Sequence, residues 1–143
     1  MGYYVDIQSS DAVLSGEHLD DAYKAMCDLN KRDDLKGGGS SQGGKMVAKW
    51  FSWMDEKYPE TCKSVEEILE MLGFYVAVDP NNGDVAIDGY DNKTGQEELF
   101  LEAIAPWMKG EIVWQGEDGT CWKNVFENGR MKSVAGHMSF EEG

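Results

Sequence analysis

Cysteine, proline and histidine are all scarce in this 143-residue sequence, which holds three, three and two of them. The cysteines, Cys27, Cys62 and Cys121, are scattered and form no CxxC pair, so a disulfide framework is excluded and a reducing compartment is expected. Cys27 lies at the edge of an apolar helical face and reads as a small buried hydrophobe. His18 and His137 stand far apart with no Cys or His at metal-ligand spacing, so no zinc site, and no cofactor of any kind, is assigned.

Long apolar runs are missing too. No stretch approaches the roughly 20 residues that cross a bilayer, and Met1 to Tyr4 does not open a basic-then-apolar export signal. Asp6 stands where the myristoylation pattern takes Ser or Thr. A cytoplasmic protein with no membrane partner is expected. Positive charge is also short: 13 Lys and Arg against 27 Asp and Glu give a net charge of −14. That balance opposes non-specific attraction to nucleic acid or to anionic lipid, so direct nucleic-acid binding is not expected and a protein with a basic surface is the anticipated partner.

What is present supports a folded chain. Apolar residues make up 41%, and five Trp, six Tyr and five Phe supply large side chains for a core. The length fits a single domain over 1–143. Tyr3, Val5 and Ile7 alternate with Tyr4, Asp6 and Gln8, the period of a half-buried strand. Leu19, Ala22, Tyr23 and Met26 make a helical stripe capped by Ser15. The Gly/Ser run at 37–45 reads as a flexible loop, and Pro59 is expected to keep Tyr58–Pro59 extended. Ser64–Glu67 is a capping box opening a helix that Gly73 ends, and two short strands joined through Asn82–Gly83 follow. Thr94–Glu97 reads as a second capping box, before the stripe Phe100, Ala103, Ile104 and Trp107. Strands around 112–115, 121–126 and 131–135 close a meander, and the tail at 138–143 is expected to be disordered.

The fold class expected is therefore α+β, in the order β-α-(loop)-α-β-β-α-β-β-β. A single antiparallel sheet of about six short strands carries three helices mainly on one face. Ser64–Ile87 and Thr94–Phe126 share one order of elements, which hints at an α-β-β duplication and favours that single sheet.

Motifs for chemistry are weak. Gly39 to Met46 has the glycines and lysine of a phosphate-binding loop, but a charged stretch precedes it and Met46 takes the place of the metal-binding hydroxyl. Asp79 to Asp84 misplaces the glycine of a calcium loop and has Tyr90 where the bidentate Glu belongs, so a hairpin turn accounts for it. No nucleophile elbow is visible. Ten acids between 79 and 118 face only Lys93 and Lys109. Within that stretch Asp88, Asp91 and Glu97 could run acid–base chemistry from a strand-to-helix loop, although 27 acids make such a cluster common by chance. Trp50, Phe51, Trp53 and Met54 either fill the core, the favoured reading, or anchor a partner.

The segments Trp50–Met54, Tyr58–Cys62, Tyr90–Glu97 and Gly116–Gly119 resemble those of short bacterial and bacteriophage proteins with no established activity. The resemblance spans residues 3–135 by pattern and order. It implies a stand-alone cytoplasmic protein of a kind that phages also encode, and transfers no catalytic residue. The expectation is a non-catalytic macromolecule-binding protein that uses an acidic surface at Asp88, Asp91, Glu97, Glu98 and Glu102, with Trp50 and Trp53 beside it. Two alternatives stand: a phage-encoded inhibitor that mimics nucleic-acid charge against a host protein, and a small carboxylate-dependent enzyme.

Overall fold

The computed structural model describes residues 3–52, 54–90, 92–93 and 96–135. The architecture is α+β, with one main antiparallel sheet and its helices on one side. Its strands are β1 (Tyr4–Ser10), β2 (Val13–Leu14), β5 (Phe74–Val78), β6 (Val85–Tyr90), β7 (Asn92–Lys93), β8 (Met108–Gly116), β9 (Cys121–Glu127) and β10 (Arg130–Ala135). The hairpin β3 (Gly38–Gln42) and β4 (Lys45–Trp50) forms a separate two-stranded sheet. The α-helices are α1 (Leu19–Leu29), α2 (Tyr58–Thr61), α3 (Val65–Leu72) and α4 (Glu97–Ile104). No described helix is long and apolar enough to cross a membrane.

The eight strands of the main sheet make six rows, because two rows are bent. β1 and β2 both lie along β8, and at the bend between them the Asp11 amide donates to the Glu111 carbonyl (3.0 Å) while Asp11 Oδ1 accepts from the Glu111 amide (2.7 Å). β6 and β7 follow that row on its other side. Across the sheet the rows run β10, β9, β8, β1–β2, β6–β7, β5.

Alternation then decides which side chains meet the helices. Val5, Leu14, Ile87, Tyr90, Ile112, Trp114 and Phe126 are buried on the inner face, against Met26 of α1, Ile68 and Leu72 of α3, and Phe100 and Ile104 of α4. Burying each such side chain contributes about 1.5–3 kcal/mol. Under β5 and β6 the contacts are aromatic: Phe74 lies 4.7 Å from Tyr90 and 6.0 Å from Trp114, centroid to centroid, in tilted and edge-on geometry.

Local signals place the helices. Ser64 Oγ accepts from the Glu67 amide (3.2 Å), capping α3, and Glu67 Oε1 accepts from the Lys63 amide (2.9 Å), one residue before the cap where a capping box uses the cap's own amide. Gly73, at φ 118°, ends it in the left-handed region and donates its amide to the Glu70 carbonyl (3.0 Å). Ser15 caps a short 3₁₀ turn, Gly16–His18, which leads into α1.

Two local expectations are corrected, and a third falls outside the described residues. The Gly/Ser run is not a loop without structure: it supplies β3, and Gly43 and Gly44, at φ 61° and 83°, make the two-residue turn into β4. Tyr58–Thr61 is a helical turn, not an extended passage, because proline in a first turn gives up an amide that has no partner there. Thr94 lies outside the described residues, and α4 begins at Glu97 after Gln96 with no side-chain cap. Gln96 is used elsewhere. Its Oε1 accepts from the amides of Gly37 (2.8 Å) and Ser52 (3.1 Å), and its Nε2 donates to the Leu35 carbonyl, which ties the two ends of the β3–β4 hairpin to α4. The 138–143 tail also lies outside the described residues.

Candidate interaction surface

The acids and aromatics picked from the sequence are placed in different surroundings. Asp88 sits at the register irregularity of β6 and is exposed on the face of the sheet away from the helices. Glu102 is exposed on α4, on the opposite side of the molecule. Glu97 is buried in the first turn of α4, where its Oε1 accepts from the Tyr90 hydroxyl (3.4 Å). Burial first, and the Glu97 carboxylate second, push the Tyr90 phenol well above its usual range.

Glu98, half-buried, belongs to a polar network centred on Asn124. Asn124 is wholly buried; its Oδ1 accepts from Trp114 Nε1 (2.8 Å), and its Nδ2 donates to Glu98 Oε2 (2.9 Å) and to Ser133 Oγ (3.1 Å). Trp50 is half-buried against its own hairpin, so close that a Cβ on Gly38 would lie 2.2 Å from the indole nitrogen. Phe51 and Met54, from the same aromatic run, are core. Asp91 and Trp53 lie outside the described residues.

Much of the acidic excess between 79 and 118 holds turns. Asp79 Oδ1 accepts from the Asn81 amide (2.8 Å), Asp84 Oδ1 from the Gly16 amide (2.8 Å), and Glu117 Oε1 from the Tyr4 amide (2.9 Å). Asp118 accepts from the Tyr3 hydroxyl and the Thr120 amide; these bonds, the Tyr3 bond foremost, hold its carboxyl below the ordinary range. Glu111 Oε2 lies 3.6 Å from Lys123 Nζ.

Of the acid–base candidates, the two described, Asp88 and Glu97, are not brought together. Asp88 and Glu97 stand on opposite sides of the sheet, so they do not flank one reacting bond. Burial pushes the Cys27 and Cys62 thiols up, away from the thiolate. Among the described residues, no group of three or more His, Cys, Asp or Glu could hold a metal. A cleft of about 420 Å³ between the end of α1 and the hairpin is lined by Lys36, Lys49 and Lys57, but Asp33 and Glu56 line it too. The Lys36 ammonium is already engaged by Asp33 at 2.7 Å.

A different region stands out as a surface. From Ser64 to Asn92 the sequence has no Lys, Arg or His and seven acids: Glu66, Glu67, Glu70, Asp79, Asp84, Asp88 and Asp91. Residues 64–90, with six of those acids, fold as α3–β5–β6, and β5 is the last row of the described sheet; Asp91 lies outside the described residues. Its five residues, Phe74-Tyr75-Val76-Ala77-Val78, carry no charge. Tyr75 is 57% exposed and Val78 47%, and with Tyr4 they are the exposed large hydrophobics of the described chain. Beside them Val13, Ala77, Val78 and Ala86 line a shallow concavity of about 290 Å³. Counting acids over 79–118 misses this region; the absence of any cation over 64–92 is the signal that finds it.

No protein-family model matches this sequence, and neither a curated protein nor a solved structure shows significant similarity to it.

Proposed function

We propose that this is a non-catalytic protein that binds another macromolecule, a protein with positive charge at its contact surface, through the α3–β5–β6 unit. The observation that carries this reading is the pairing of an all-acidic, cation-free unit with an exposed, uncharged strand at its margin. Acidic charge alone gives little affinity, since an exposed ion pair contributes about 0.2–1 kcal/mol. The six acids within α3–β5–β6 steer and orient a basic partner, and covering the exposed parts of Tyr75 and Val78 adds about 1 kcal/mol each. Asp88 keeps the role expected of it, Glu97 and Glu98 support the fold beneath the surface, and Glu102 is outside it.

The test is affinity capture from the native host with three baits. One is the unaltered protein, one carries Glu70→Gln, Asp79→Asn and Asp88→Asn, and one carries Asp20→Asn, Asp28→Asn and Glu60→Gln on the exposed surface elsewhere. The expected result is a partner set lost from the first variant, retained by the second, and weakened by salt. Retention of every partner by both variants overturns the reading.

A further inference from the structure

The margin of the sheet suggests how that partner is held. β5 pairs with β6 on one side, and no other described strand pairs with it. An antiparallel edge presents alternating amides and carbonyls in register, a template for another strand, and proteins usually block such edges with charge, proline, bulges or short length. The opposite edge of this sheet is blocked: β10 carries Arg130 and Lys132, both exposed. β5 is not. It has five residues, no charge and no proline, and the irregularity in its pairing adds the extra residue, Asp88, to β6 and not to β5.

Charge decides between occupants. A second copy pairing strand to strand would set the acids of α3, Glu66, Glu67 and Glu70, and the Asp79–Asp88 turn against their own likeness. A segment from another protein with Lys or Arg at its ends meets those acids as opposite charge instead. Tyr75 and Ala77 lie on the outer face of β5, and Val76 and Val78 on the inner. The facing strand therefore places small or β-branched residues beside Tyr75, whose ring already covers the outer face at Gly89, where an added Cβ would lie 3.1 Å from its Cδ2.

We propose that β5 accepts an extended segment of the partner as an added strand: about five small or β-branched residues flanked by Lys or Arg. This rests on the function proposed above and adds the mode of recognition to it.

The probes are capped synthetic peptides of sequence Lys-Thr-Val-Thr-Val-Thr-Lys, the same core flanked by Glu, and two forms of the first N-methylated on alternate residues. In two-dimensional NMR the basic peptide is expected to give interstrand contacts to residues 74–78. One N-methylated form should bind at least tenfold more weakly and the other about equally, because only one set of amides faces β5. The Glu-flanked peptide should bind at least tenfold more weakly at low salt, and Ala77→Lys, at an exposed position, should lose the basic peptide while keeping its spectrum folded. Absence of binding by every probe overturns strand addition, as do equal binding by both N-methylated forms and contacts away from β5. Strand contacts that grow with protein concentration without peptide assign the edge to a second copy and overturn the proposal. If the captured partners are lost on neutralising the acids but kept by Ala77→Lys, the function stands and strand addition falls.

Discussion

The two margins of the sheet are built on opposite rules. At β10, Arg130 and Lys132 point outward from the strand, and the row next to it rests on the Asn124 network with Trp114, Glu98 and Ser133. At β5 the strand is uncharged, the acids lie around it and not on it, and the packing beneath is aromatic, Phe74 and Tyr90 against Trp114, whose indole nitrogen reaches across to the Asn124 network. A sheet with one uncovered face and two ends has to keep those ends from pairing indiscriminately. Here one end is guarded by charge on the strand itself, and the other is shielded only by the negative field around it. On the proposed reading the second end is selective and not closed: the acids around β5 oppose anions and a second copy, and favour a cationic partner.

The comparison breaks most visibly in the core beneath β5. Phe74→Ala should destabilise the fold by about 3–5 kcal/mol, read by urea denaturation, and should raise exchange at β5 and β6 before β9 and β10. Under the other margin, Asn124→Ala leaves the Trp114 indole without its acceptor and Glu98 without its donor; a loss of about 1–3 kcal/mol is expected in the same measurement. Removing the guard with Arg130→Thr and Lys132→Thr should change stability by no more than about 0.5 kcal/mol, yet produce concentration-dependent association in sedimentation velocity. If β10 stays monomeric without its cations, charge is not what closes that edge.

Titration should sharpen the contrast by a smaller amount, because different groups serve the two sides. Asp118, on the turn between β8 and β9, has a folded-state pKa below 3.8, so its contribution is complete above that value and is lost as pH falls through the folded value. Tyr90, on the β5 side, has a folded-state pKa raised above 10.0, so its contribution is complete below that value and is lost as pH rises toward the folded value. Hydrogen exchange across pH is therefore expected to show the Tyr3–Asp118 contact loosening first in acid, and the Phe74–Tyr90 packing first in alkali.

Much of this architecture is legible from the chain. Alternation at Tyr3–Gln8, the Ser64–Glu67 cap with Gly73, and the turn at Asn82–Gly83 identify elements because each is a local contest that its own residues decide. The hairpin at 38–50 is not legible. Its strand β3 has no apolar alternation, and it is held by contacts that are distant in sequence: the Gln96 bonds to Gly37 and Ser52, and the Trp50 ring against Gly38. For the site, the overall sign of charge is readable but its placement is not. Glu97 and Glu98 look like surface acids in a helical first turn, and only the sheet beneath reveals Tyr90 and Asn124 as their partners.

Hydrogen–deuterium exchange on the complex with a captured partner tests the central claim most directly, because it reads both margins at once. The account predicts new protection across 74–78 and none across 130–135. Protection at 130–135 with 74–78 unchanged would contradict it.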